Sequence, residues 1–522
     1  MLAYSNVNSG SLGILMNFHS LAFRAEQPHL SPTTSPPSPR HLALAALLPL
    51  AIGITMALLP PPPGLAQYSW WYLSLFVTVI VGLIVEPVPA AAVGFLGVTV
   101  AAVLSRFVLF SPAQLAAPGF NPNSAAIAWA LSGFSNATVW LIFSAFVFSL
   151  GYEKTGLGKR ISLLLLSRLG GRSLTLGYAV MLADLMLAPF TPSNTARSGG
   201  TIFPVIKNIP EFYQSLPNDP SSRRIGSYLM WTAIASTCIT SSTFLTALAP
   251  NLLAVELVQK TVHISLSWGQ WFIAFLPVAL LLLLTTPALA YWIYPPELKT
   301  CPEVPEWARK ELGQLGAVSA KEIVLIGLVV LALGLWIFGG SYIDPTTAAL
   351  LVVGLLVVTR TIGWSDVLDD KPAFNTLIWF GTLVALAGGL AQTGVVTWLA
   401  GQVGPVLATL SPLPGLVGLI VLFFLLHYLF ASVTAHVTAL LPLMLTVAAK
   451  IPGLPMDKAA LGLCLTLGIM GIISPYGTGP SPVYAGSGFL PGSDYWRLGA
   501  IFGCYNLLVY LAVGVPILFF LL

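Results

Sequence analysis

Thr191-Pro-Ser-Asn-Thr-Ala-Arg-Ser-Gly-Gly200 is a run of small and polar residues set between apolar stretches long enough to cross a bilayer. A second such run, Ala431-Ser-Val-Thr-Ala-His436, lies in the other half of the chain. In hydrocarbon every free backbone N–H and C=O must find a partner. Interrupted helices therefore persist only where protein or a water-lined cavity surrounds them. Two interruptions at corresponding places in two halves point to the binding site of a transporter.

Working outward, the composition sets the class. Of 522 residues, 56% are hydrophobic and 8% charged, and mean hydropathy is +0.87. A soluble domain carries about 25% charged residues, so this chain lacks the polar coat of a water-facing surface. Apolar windows of spanning length cover 42–59, 68–85, 90–110, 137–152, 268–294, 323–338, 346–359, 374–392 and 496–521. Four further blocks, 173–206, 226–263, 413–449 and 459–489, are each interrupted by small polar residues. The first and third read as re-entrant hairpins, the second and fourth as broken spans. The expected fold is an all-α polytopic membrane protein with eleven transmembrane helices and two re-entrant hairpins, over residues 41–522.

Charge placement orients it. Lys154, Lys159, Arg160, Arg168 and Arg172 crowd one connection, which the positive-inside rule assigns to the cytoplasm. The corresponding part of the second half, from Pro372 to Ala449, has no Lys, Arg, Asp or Glu and is expected outside. The polar connection 295–321 is expected inside, with a short surface helix. Residues 1–40, rich in Ser and Pro, read as a disordered tail, and Glu86 as an interfacial residue between spans. The scattered cysteines (Cys238, Cys301, Cys464, Cys504) imply neither a disulfide framework nor a metal site.

An internal repeat carries the functional reading, with halves at about 126–294 and 345–522. Asn136, Trp140 and Thr155-Gly156 are echoed by Asn375, Trp379 and Thr393-Gly394. Ser193-Asn-Thr195 with Pro204 is echoed by Ser432-Val-Thr434 with Pro442. Ser242, Thr246 and Pro250 are echoed by Ser474, Thr478 and Pro482 at the same spacing. Small polar residues that merely tighten helix packing explain one such site, but not the shared order.

Helix breaks expose unpaired N–H groups backed by the positive end of a helix dipole, which suits carboxylates. Hydroxyls add donors at adjustable angles. Two tips would hold the two ends of a dianion. The candidate contacts are Ser193, Asn194, Thr195, Ser432 and Thr434 at the tips, with Ser242, Thr246, Gly477, Thr478 and Gly479 at the breaks. Arg197 and His436, each four residues past a tip serine, are the candidate fixed cations. For Arg197 the alternatives are substrate contact or a structural pair with Asp184. For His436 they are ligation or a neutral ring hydrogen-bonded between helices. His427 reads as packing.

Pro192-Ser-Asn-Thr-Ala-Arg-Ser-Gly-Gly-Thr-Ile-Phe-Pro204 resembles the first signature of the divalent anion–sodium symporter (DASS) family. Phe430–His436, Gly468–Pro480 and Tyr495–Gly503 are similar to its branch of bacterial citrate or tartrate/succinate antiporters and plastid 2-oxoglutarate/malate translocators. The resemblance implies a homodimer with a scaffold and a moving transport domain, working by elevator-type alternating access. It implies di- or tricarboxylate substrates (2-oxoglutarate, malate, succinate, tartrate or citrate), no cofactor and no nucleic-acid partner. It implies a bacterial inner membrane, with a plastid envelope as the other setting. Val433 stands where sodium-coupled members have an Asn. Small residues in those members are replaced here by Arg197 and His436, so exchange is expected, with sodium-coupled symport as the alternative. An intramembrane enzyme is disfavoured: none of the six His forms a His-Glu-x-x-His pair, and Ser193 has no in-register base.

Overall fold

The computed structural model describes residues 39–521 apart from 86, 340–341, 408–410 and 431. The expectations for the N-terminal tail and for Glu86 therefore lie outside the described residues. The chain is all-helical: α1 (Pro39–Leu58), α2 (Gln67–Val85), α3 (Ala90–Val103), α4 (Pro122–Leu131), α5 (Ala137–Thr155), α6 (Leu157–Leu169) and α7 (Ser173–Leu187). A π-helical turn, Thr195–Ile202, follows α7 and leads to α8 (Gly226–Thr243), α9 (Ala249–Val262), α10 (Trp268–Ile293) and α11 (Glu303–Leu315). The second half comprises α12 (Ala320–Phe338), α13 (Pro345–Val358), α14 (Lys371–Gln392), α15 (Val395–Leu407), α16 (Pro412–Leu426), α17 (Val433–Ala448), α18 (Met456–Cys464) and α19 (Gly492–Val509).

Among the described residues, eight helices are long and apolar enough to cross a membrane, and shorter apolar helices accompany them. The protein is an all-helical polytopic membrane protein. Large side chains such as Leu284, Val330, Phe338 and Leu508 are exposed along these helices, as lipid-facing positions require. The most enclosed helix is among the less apolar. All 18 residues of α8 are buried, including Thr232, Ser236, Thr237, Thr240, Ser241 and Ser242. A helix surrounded by protein needs no lipid-compatible face, so its polar side chains are free to serve other helices.

Most expected spans recur within a few residues. The apolar window 90–110 is the exception, because α3 stops at Leu104 and a separate turn, Ser105–Val108, follows. The surface helix expected in 295–321 is α11. Thr155 and Thr393 end α5 and α14 alike: each hydroxyl bonds the carbonyl four residues back, and each is followed by a glycine at φ near +77°. The sequence match of Asn136 with Asn375 does not extend to their capping roles. Asn136 caps α5 through Val139 N, whereas Asp370 caps α14 and Asn375 lies a turn inside it.

Two buried apolar clusters form. The smaller joins α2, α3 and α4 to one side of α14, through residues such as Tyr72, Val79, Trp129 and Leu386. The larger holds the interrupted helices with α5, α10 and α19. Helix α6 is tied down electrostatically. Arg160 meets both carboxylate oxygens of Glu322 at 2.5 and 3.2 Å and donates to Gly316 O. Lys154 pairs with Asp366 and Lys159 with Glu311. Helix α15, by contrast, has no ionisable residue.

Candidate substrate-binding site

The site begins with unpaired backbone. After α7 the chain passes through a 3₁₀ turn, Ala188–Phe190, then an extended Thr191, before the π turn at Thr195–Ile202. π turns leave the normal i→i−4 ladder and concentrate at functional positions. Helices α8 and α9 are likewise separated by the stretch around Leu245–Ala247. An exposed carbonyl needs a donor, and several find one. Asn251 Nδ2 caps Ser241 O and Phe244 O, Trp271 Nε1 caps Ser242 O, Thr246 Oγ1 donates to Pro189 O and Ala249 N to Pro192 O.

Arg197 completes this account. Its guanidinium is fully buried; Nε donates to Asp184 Oδ2 at 3.1 Å, and Nη1 to Thr191 O and Ala247 O at 2.9 and 2.8 Å. Nη2 reaches the hydroxyls of Thr237, Thr240 and Ser241 at 3.1–3.3 Å. Thr240 Oγ1 also donates to Asp184 Oδ2. Every nitrogen is thus engaged by protein oxygens. In this conformation Arg197 is the structural partner of Asp184 and offers no N–H to a substrate. Its charge is also compensated, which removes it as an unbalanced fixed cation. The i, i+3, i+4 polar stripe of Thr237, Thr240 and Ser241 on α8 is visible in the sequence, but not which group it faces.

The second break is the meeting place. Asn194 Nδ2 donates to Thr478 Oγ1 at 2.7 Å, across 284 residues. A Cβ on Gly479 would come within 1.9 Å of Thr195 Oγ1, so the first tip lies directly on this glycine. From the other side His427 Nε2 lies 2.6 Å from Gly477 O. His427 was expected only to pack; it also supplies a polar contact to the break. The two breaks touch as well, because Ser242 Oγ accepts from Gly468 N and Ile469 N. Gly477-Thr-Gly479 is therefore a wall shared by both interrupted segments.

At the tips, Thr195 is exposed and Ser193, Ser432 and Thr434 are half-buried, while Asn194, Ser242, Thr246 and Thr478 are buried. Ser193 Oγ accepts from Ala196 N, and Ser432 caps α17 without a side-chain bond to it. The Val433 side chain is buried and apolar, and Ala431 lies outside the described residues. His436 is fully buried against Phe423, Phe430 and His427, with ring centroids 4.3, 5.2 and 5.0 Å away. Neither of its ring nitrogens has a hydrogen-bond partner among the described residues, so the expected interhelical hydrogen bond is absent.

Residues 40–521 match the family described as sodium:sulfate symporter transmembrane region. The chain belongs to this family. It is a transport protein of the DASS group and not an enzyme. It is 50% identical over 468 residues to the L-tartrate/succinate antiporter of Escherichia coli K12, covering 90% of this chain and 96% of that one. The protein of the same description from Shigella boydii is 49% identical over the same length. Two solved structures share the fold at low identity. The YdaH transporter of Alcanivorax borkumensis aligns at TM-score 0.54 and 15% identity, over 83% of this chain and 99% of that one. MtrF of Neisseria gonorrhoeae, described as illuminating a class of antimetabolite efflux pumps, aligns at 0.54 and 14%, over 90% and 97%.

Proposed function

We propose that this DASS-family chain exchanges small di- or tricarboxylates, of the tartrate and succinate class, across a bacterial inner membrane. The observation that carries the reading is the 50% identity, over nearly the whole of both chains, to an L-tartrate/succinate antiporter. The site chemistry agrees with it. Hydroxyls and amides from Ser193, Asn194 and Thr195 border the Gly477–Gly479 wall, and the N-terminus of α17 at Ser432 brings a helix dipole suited to a carboxylate. Val433 has no polar side-chain atom, so the second tip holds its carboxylate with hydroxyls and backbone N–H alone.

The architecture we propose has eleven crossings, with α7 to Ile206 and α16–α17 as re-entrant hairpins, in inverted repeats at about 126–294 and 345–522. Connection 295–321 lies inside. The moving unit contains the hairpins and the broken helices, and it slides against a frame that includes α2, α3, α4, α5 and α14. The separate apolar cluster shared by α2, α3, α4 and α14 supports that division for those four helices, while α5 packs within the larger cluster and is assigned to the frame by the proposal alone. A homodimer is the expected assembly. Candidate substrate contacts are Ser193, Asn194, Thr195, Ser432, Thr434, Thr478 and Gly479. Arg197 acts as a strut beneath the first tip, and His436 as a ring held in reserve behind the second.

Exchange is favoured over sodium symport by one feature. Thr191 O and Ala247 O, two backbone oxygens between tip and break, are both held by Arg197 Nη1, whose charge opposes a cation there. Counterflow in proteoliposomes tests the function. Vesicles loaded with unlabelled tartrate, succinate, malate or 2-oxoglutarate, or left empty, are offered labelled succinate with and without sodium. Uptake confined to loaded vesicles and indifferent to sodium is expected. Uptake into empty vesicles driven by a sodium gradient would overturn exchange.

A further inference from the structure

Helix α9 carries two ionisable residues that the binding site does not use. Glu256 is buried, and its carboxylate is held from α5: Asn136 Nδ2 donates to Oε1 at 2.7 Å and Thr138 Oγ1 to Oε2 at 3.2 Å. Asn136 is also the N-cap of α5, so the carboxylate sits at the positive end of that helix. One turn further along α9, Lys260 Nζ lies 3.8 Å from Glu256 Oε1 and donates to Val384 O of α14 at 3.1 Å. The ammonium reaches this carbonyl beside Gly388, where an added Cβ would stand 3.6 Å from Nζ. Helix α9 begins at Ala249, whose N–H bonds Pro192 at the first tip. Glu256 is seven residues on, about 10 Å along the same rigid helix.

We infer that Glu256 and Lys260 are positioning residues of the transport cycle: a polar latch that fastens the moving unit, through α9, to α5 and α14 of the frame in the orientation seen here. The inference rests on the exchange reading above, with its division into moving unit and frame. Both charges are satisfied partly by atoms of the other body, so sliding must break the Asn136, Thr138 and Val384 contacts together. In inverted repeats, the opposite orientation is produced by exchanging the roles of the two halves. In the register that matches Pro250 with Pro482, Glu256 and Lys260 correspond to Gly488 and Gly492, so the opposite orientation has no equivalent latch at those positions. The latch therefore biases the two orientations unequally. A pair that merely braced α9 would leave that balance alone.

The apparent affinity at each membrane face scales with the population of the orientation open to it. The test is therefore the KM for succinate at the two faces, measured in right-side-out and inside-out vesicles of the full-length exchanger. E256Q and the uncharged double variant E256Q/K260M attack the latch from α9, and N136A attacks it from the frame. All three are expected to move the ratio of the two KM values in the same direction, by about 5-fold or more, the low end of ordinary coupling energies. An unchanged ratio in the variants that retain exchange, whatever happens to maximal rate, would overturn the latch. If E256Q and the double variant fail to fold, N136A decides alone, because it removes a neutral side chain. Absence of counterflow by the unaltered protein would instead refute the function itself.

Discussion

The side-chain amide of Asn194 donates to the hydroxyl of Thr478 at 2.7 Å, joining the first interrupted segment to the break between α18 and α19. Both side chains are buried, and they lie 284 residues apart in the chain. The bond fixes Asn194 against the Gly477–Gly479 wall, and so constrains the candidate substrate contacts on both sides of it.

Thr478→Val keeps the shape and removes the acceptor. Leaving a buried amide N–H unpaired costs ~1–3 kcal/mol. The expected result is a rise of roughly tenfold in KM for succinate counterflow, with little change in the amount of folded protein. Unchanged kinetics would show that Asn194 does not depend on Thr478.

Gly479→Ala places a methyl group on Thr195 Oγ1, which must swing away. The neighbouring Thr195 Cβ, 3.2 Å from the added carbon, limits how far the side chain can yield in place. Exchange is expected to fall by about tenfold or more while the protein still purifies as a monodisperse species, a distinction that size-exclusion chromatography and counterflow make together.

Arg197→Met leaves Asp184 buried without its partner and frees the carbonyls of Thr191 and Ala247. Breaking a buried pair from one side costs ~3–5 kcal/mol, so thermal stability in detergent should drop by of order 5 °C or more. Removing both charges in D184N/R197M should recover part of that loss. If the single variant instead melts like the unaltered protein and loses only substrate affinity, the strut role is wrong.

His436→Phe has no hydrogen bond to lose and replaces one ring by another among Phe423, Phe430 and His427. Stability should be held or slightly raised. Exchange should weaken, because the variant removes an ionisable ring from behind the second tip. Undiminished exchange would assign His436 to packing alone.

The membrane class and helix positions were readable because lipid imposes a long-range rule: about twenty apolar residues per crossing, whatever the neighbours. The tips were readable because a bilayer-buried helix tolerates Pro192-Ser-Asn-Thr195 only where function or protein shields it. The bond from Asn194 to Thr478 was not, since partners 284 residues apart leave no local trace. Nor was the choice for Arg197, for which a substrate carboxylate and Asp184 are equivalent until distances are known. Glu256 and Lys260 passed unnoticed because one i,i+4 pair looks the same on any helix, whether it faces solvent or another body.

By itself, then, the sequence determined an all-helical membrane transporter with paired interruptions, because hydropathy and backbone satisfaction act residue by residue along the chain. Only the tertiary structure decided which polar groups are already spent. Arg197 is consumed by Asp184 and two backbone carbonyls, His436 has no hydrogen-bond partner among the described residues, and Glu256 reaches across to Asn136. A side chain's donors and acceptors follow from its residue type, but whether they remain available depends on what the fold packs against them.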